Sequence, residues 1–263
     1  FTESSILLEG PAYESSSGYT DYFQLAFLAR EKIGSALFIG AGGGIGPRAF
    51  HAMDPEMEID VVDIDPRVLE IAERHFHMPV GDKVRPYAQD GRMFVARASR
   101  DYDCIVLDAF SIGGRIPFHL VTREFFSLCR DRMPESGVFV MNIVNALEGP
   151  KGEIFQSIAK TLQDVFPHVY AFARGHRYLR GLGTSGAQRW LRDPTNVILV
   201  ALSGDLGLDE GDWRARIGSY PEKIYVTRDH VREMVEDLVW PMPDLSDGTL
   251  FTDEFAPIET MRF

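Results

Sequence analysis

Five glycines fall within seven positions of the stretch ALFIGAGGGIGPRAF, residues 36–50, directly behind an apolar run. Glycine lets a chain turn tightly and approach a ligand closely. A helix that follows such a loop presents free N–H groups and the positive end of its dipole. Aspartates then close later apolar segments: Asp63 in EIDVVDI, Asp90 after VRPYA and Asp108 in DCIVLDA. Asp63 stands about 20 residues beyond the loop, where a carboxylate can accept hydrogen bonds from both hydroxyls of a ribose. Together the loop and the acids describe a nucleoside site. Each part also has a plainer role open to it, since glycine marks any tight strand-to-helix turn and an aspartate, Asp90 most clearly, caps a helix.

Spacing narrows the ligand. The dinucleotide pattern G-x-G-x-x-G fails, because its last place falls on Ile45 when counted from Gly40 and on Pro47 when counted from Gly42. Gly40, Gly42 and Gly44 do match G-x-G-x-G, the form usual in AdoMet-type enzymes, and Pro47 suits the first turn of a following helix. The phosphate loop GxxxxGK[ST] and the hydrolase elbow G-x-S-x-G are both absent. His75 and His77 sit two apart at a helix end, and the seven histidines show no zinc-type spacing, so no metal is expected. Cys104 and Cys129 lie in apolar contexts and read as buried free thiols.

Positioning these groups requires a sheet. Apolar, β-branched runs at 36–40, 58–64, 84–88, 103–109, 137–144, 168–173 and 196–202 alternate with helical segments. Continuous apolar strands of this kind belong to a mostly parallel sheet covered on both faces, with ligands at the strand carboxyl ends. Asp65 before Pro66, Asp90 and Thr122 read as helix caps. Residues 1–18 read as a small N-terminal β appendage, and residues 19–263 as the sheet domain. Residues 174–194, rich in Gly and Arg, read as an irregular excursion whose arginines either grip an anion or face solvent.

The chain has 263 residues, 45% hydrophobic and 25% charged, with a net charge of −12. That balance argues against nucleic acid, whose binding needs clustered Lys and Arg, and it suits a small cationic substrate or simply solubility. No apolar run reaches the roughly 18 residues that span a bilayer, and FTESSILLEG lacks the pattern of a signal peptide. A cytoplasmic location is the expectation, provisional because the chain starts at Phe1. No membrane partner is expected within this chain, and a homodimer stays open.

The segments LFIGAGGGIGPR, VVDIDPRVLEIAERHF, AQDGRMFV and YDCIVLDAFS, followed by IPFHLVTREFFSLCRDRMPESGVFVMNIV, resemble in order and spacing the spermidine-synthase-like (aminopropyltransferase) branch of class I AdoMet-dependent enzymes. The resemblance covers about residues 5–145 and extends loosely through NVILVAL and FTDEFAPIE. It implies a seven-stranded Rossmann-like sheet of the class I methyltransferase type. It further implies decarboxylated S-adenosylmethionine, or S-adenosylmethionine itself, as donor substrate, and a small-molecule amine as acceptor. Carried over, Gly40, Gly42 and Gly44 wrap the sulfonium end, Asp63 holds the ribose, and Asp90 with Gly91 holds the adenine. Asp108 stands at the catalytic aspartate and Tyr22 at an active-site tyrosine. Tyr13, Tyr22, Gln24 and Ser111 fall where that family binds substrate.

Departures from the pattern bear on the acceptor. The family has aspartates where Gly43 and Ser111 stand, a glutamine at Tyr13, an aspartate–glutamate pair at Gly18 and Tyr19, and a glutamate at Gln24. Tyr13, Tyr19, Tyr22 and Phe23 either line an acceptor pocket or pack against the core. An amine acceptor, mostly protonated at neutral pH with a pKa near ~10, needs a carboxylate to take its proton. Asp108, with Tyr22 as hydrogen-bonding helper, is the candidate. Aminopropyl transfer is the leading reading, with methyl transfer to a small molecule and a non-catalytic nucleoside-binding module as alternatives.

Overall fold

Each interior strand carries apolar residues in succession because both faces of the sheet are buried. In β1 (Ser35–Ile39), Ala36 and Phe38 enter one core while Leu37 and Ile39 enter the other. The computed structural model describes residues 18–111, 115–181, 186, 190–258 and 260–261. The expected appendage at 1–18 lies, apart from Gly18, outside the described residues, and so does Tyr13.

The remaining strands are β2 (Glu58–Asp63), β3 (Val84–Ala88), β4 (Cys104–Leu107), β5 (Val138–Asn145), β6 (His168–Ala173) and β7 (Thr195–Leu202). They form one sheet in the order β3-β2-β1-β4-β5-β7-β6. Pairings from β3 through β5 are parallel, whereas β7 runs antiparallel to both β5 and β6. The sheet is therefore mixed but mostly parallel, of the class I methyltransferase type. Pro86 cannot donate a ladder hydrogen bond and falls in β3, an edge strand.

On one face lie α1 (Ala26–Ala29), which continues a 3-10 helix at Thr20–Leu25, together with α2 (Ile45–Met53) and α3 (Pro66–Phe76). Two later helices, α7 (Glu210–Arg216) and α8 (Arg228–Glu236), join that face through Trp213, Val231 and Met234. The other face carries α4 (Gly91–Arg97), α5 (Arg123–Arg130) and α6 (Glu153–Val165). The caps stand as read from the sequence: Asp65 accepts from the Arg67 amide, Asp90 from Met93 and Thr122 from Phe125. Cys104 and Cys129 are buried and free. Among the described residues, no helix is long and apolar enough to cross a membrane.

Candidate active site

Strand order reverses between β1 and β4: the chain leaves β1 toward β2 on one side, then returns to place β4 on the other. Open α/β sheets bind ligands at such a switch point, outside the strand carboxyl ends. Here a solvent-open cleft is lined by Tyr19, Phe23, the Gly40–Gly43 loop and Asp108.

The loop geometry follows from its neighbours. Gly40 has φ +93°, and a Cβ there would lie 2.4 Å from the Asp108 carbonyl oxygen, so glycine alone lets β1 and β4 end side by side. Its amide donates to Val62 O at 2.8 Å, and the Asp108 amide donates to Ile39 O at 2.9 Å, continuing the sheet past the last paired residues. Gly44, at φ +67°, precedes α2, while Gly42 is exposed at the cleft. Gly91 has a packing reason of its own, because a Cβ there would meet Ile39 Cγ2 at 2.4 Å.

Asp63 accepts from the Ala41 amide through Oδ2 and the Asp65 amide through Oδ1, each at 3.0 Å, and stays partly exposed. An ionised carboxylate has about four lone-pair sites, so two backbone donors leave room for ribose hydroxyls. At the next corner, Asp90 Oδ1 accepts from the Met93 amide, and Oδ2 lies 3.0 Å from His119 Nε2. Arg92 donates to the His119 carbonyl oxygen and grips Asp253 with both terminal nitrogens, at 2.6 and 2.5 Å. Asp253 also accepts from the Thr122 hydroxyl at 2.7 Å, so the C-terminal TDEF stretch is tied into the Asp90 corner.

Asp108 is the first residue past β4 and sits partly exposed at the cleft. Tyr19 Oη donates to its Oδ2 at 3.1 Å and Asn142 Nδ2 to its Oδ1 at 2.9 Å. Both bonds favour the anion, but burial outweighs them and pushes the carboxyl up to about 6. Burial, then the charge and hydrogen bond of Asp108, push the Tyr19 phenol upward, so it remains a donor.

The structure places two of these residues elsewhere than expected. Tyr22 does not serve Asp108; its hydroxyl donates at 2.5 Å to Asp237, which is 0% exposed. Asp237 is further held by the Gly175 and Arg177 amides and by Arg177 Nη1 at 2.6 Å, so this arginine of the 174–194 excursion is a structural clasp. Gln24 is 1% exposed and packed inside, accepting from Tyr220, rather than lining the cleft. Ser111 is exposed and its hydroxyl donates to the Arg115 carbonyl oxygen at 2.9 Å. Two residues of the site, Asn142 and Asn196, escape sequence reasoning; the available signal is an amide interrupting the apolar run VFVMNIV. Among the described residues no group of His, Cys, Asp and Glu could hold a metal ion.

A family model described as the spermine/spermidine synthase domain matches residues 25–181. Over 234 residues the chain is 30% identical to the polyamine aminopropyltransferase of Vibrio vulnificus, covering 86% of this chain and 69% of that one. It is 27% identical over 256 residues to a probable polyamine aminopropyl transferase of Bifidobacterium longum, covering 91% of this chain and 52% of that one. The chain thus spans about half the length of the latter. In structure it is similar to a probable spermidine synthase from Corynebacterium glutamicum, with a TM-score of 0.69 at 18% identity, covering 99% of this chain and 88% of that one.

Proposed function

Because the chain belongs to the spermine/spermidine synthase family, we propose that it moves an aminopropyl group from decarboxylated S-adenosylmethionine to an amine of the polyamine type. The observation that carries this reading is Asp108, a carboxylate made more basic by burial and held beside a glycine-lined cleft at the sheet's switch point. The donor supplies an alkyl carbon already activated by its positive sulfur. What remains for the protein is alignment and proton removal.

In the transfer, the amine lone pair forms a bond to the propyl carbon attached to sulfur. The C–S bond breaks with its electron pair left on sulfur, giving a neutral thioether, and the proton released from nitrogen passes to Asp108. A base tuned to about 6 is mostly ionised at pH 7 yet takes a proton more readily than an ordinary aspartate. In this assignment Gly40 and Gly42 face the sulfonium end while Gly44, buried against Met78, shapes the turn into α2; Asp63 takes the ribose hydroxyls, and Asp90 with Gly91 forms the adenine corner. Tyr19 replaces Tyr22 as the phenol that steadies Asp108. Thr20 also lines the cleft, and its buried hydroxyl has no hydrogen-bond partner among the described residues.

Calorimetry with methylthioadenosine tests the donor half. Asp63→Ala should lose ten-fold or more in affinity, the worth of hydrogen bonds to a charged group. Equal affinity in the two proteins, or tighter binding of NAD than of methylthioadenosine, would overturn the assignment.

A further inference from the structure

Asp108 is not held by its own strand alone. Parallel pairing sets Leu107 of β4 opposite Met141 of β5, so the next residues, Asp108 and Asn142, stand side by side. Antiparallel pairing sets Asn142 opposite Ile198 of β7, so Asn196, two residues earlier, is its diagonal neighbour on the same face. The three side chains form a line: Asn196 Nδ2 donates to Asn142 Oδ1 at 3.1 Å, and Asn142 Nδ2 donates to Asp108 Oδ1 at 2.9 Å.

The line has a polarity. An ionised carboxylate only accepts, so it selects the NH₂ end of the Asn142 amide, and the Asn142 carbonyl must then find a donor on its other side. Asn142 is 2% exposed and interrupts the apolar run Val138–Val144, where an unpaired amide is costly. Asn196, partly exposed near the start of β7, supplies that donor. With Oδ1 engaged from the sheet and Oδ2 from Tyr19, the carboxylate is fixed in rotation about its own axis.

We propose that Asn142 is a positioning residue for Asp108, oriented in turn by Asn196, and that this two-amide line keeps the Asp108 carboxylate anionic and aimed at the cleft. Its catalytic meaning rests on the transfer reading above; its effect on Asp108 does not. Other elements around Asp108 compete little for this role. The Thr20–Leu25 segment and the residue before it bring the Tyr19 phenol, the Gly40–Gly44 loop brings no ionisable side chain, and Asp63 at the end of β2 is turned onto the Ala41 and Asp65 amides. β5 and β7 contribute the two amides.

The test is a titration of Asp108 by ¹³C NMR in protein labelled at aspartate carboxyl carbons, with the resonance assigned by its loss in Asp108→Asn. Asn142→Leu removes a donor to the anion and should raise the Asp108 midpoint by about one pH unit or more. Asn196→Leu, at a partly exposed position that keeps the fold safe, should raise it in the same direction by a smaller amount. Because Asn196 acts through Asn142, the double variant should match Asn142→Leu alone, a pattern that loosened packing would not give. The acid limb of kcat/KM should move with the NMR midpoint while methylthioadenosine affinity stays constant. A midpoint unmoved in Asn196→Leu, or shifts that add in the double variant, overturns the proposal. If no donor and amine react at all, the transfer reading fails, yet the carboxyl titration still decides whether the amide line sets Asp108.

Discussion

Tyr19 Oη lies 3.1 Å from Asp108 Oδ2, bringing a phenol from the residue before the Thr20–Leu25 3-10 helix onto the acid that follows β4. Tyr22, three residues on, instead meets Asp237 from the far end of the chain. The two tyrosines therefore divide the work: Tyr19 serves the cleft and Tyr22 clasps the fold.

That division predicts opposite phenotypes. Tyr22→Phe removes a buried hydrogen bond to a carboxylate and should cost about 1.5–3 kcal/mol of stability. Tyr19→Phe should change unfolding less and depress kcat more. Denaturant melts beside steady-state kinetics check the pair, and a larger kcat loss in Tyr22→Phe would return the helper role to that residue.

Asp108→Asn should lower kcat by roughly 10²–10⁴, the range for a lost general base. Affinity for methylthioadenosine should change little, since the proposed nucleoside contacts lie on the loop, Asp63 and Asp90. Parallel losses of turnover and nucleoside affinity would assign Asp108 to binding.

The raised Asp108 carboxyl also fixes two signs. Activity should rise with pH through a limb centred near 6, as the base ionises. For stability, a folded value above the unfolded ~3.9 means the native state holds the proton more tightly. The contribution is full below about pH 4 and is lost as pH rises through about 6. Asp108→Asn should accordingly gain melting temperature relative to wild type at pH 8 and lose that advantage at pH 4. The reverse ordering would mean that burial does not dominate at this carboxyl.

The seven strands are legible because parallel strands buried on both faces read as unbroken apolar runs, and the caps because Asp65, Asp90 and Thr122 sit directly before their helices. Strand direction is not legible: NVILVAL reads the same whether it runs with or against its neighbour, and β7 runs against. Glycine spacing and Asp108 point to the cleft, whose lining does not include Asp63 or Asp90. They do not reveal which tyrosine meets which acid, because Asp237 and Asp108 arrive from distant parts of the chain and only packing decides the match. Gln24 shows the same limit, since its burial beside Tyr220 depends on a segment 196 residues away.

Gly40 offers a geometric check on the cleft. A methyl group there would fall 2.4 Å from the Asp108 carbonyl oxygen, so Gly40→Ala must push β1 and β4 apart at their ends. Nucleoside affinity and turnover should both fall at least ten-fold, because a misplacement of about 1 Å is costly to catalysis. Wild-type kinetics in this variant would show that the loop is not part of the site.

If the group transferred is aminopropyl and an amine receives it, the masses of the two products show it. Incubating the protein with decarboxylated S-adenosylmethionine or S-adenosylmethionine, each against a panel of mono-, di- and triamines, and weighing the products by mass spectrometry tests this directly. Aminopropyl transfer should give methylthioadenosine and an amine heavier by one aminopropyl unit, formed only with the decarboxylated donor and abolished in Asp108→Asn. S-adenosylhomocysteine with a methylated acceptor, or neither product with any amine in the panel, would contradict it.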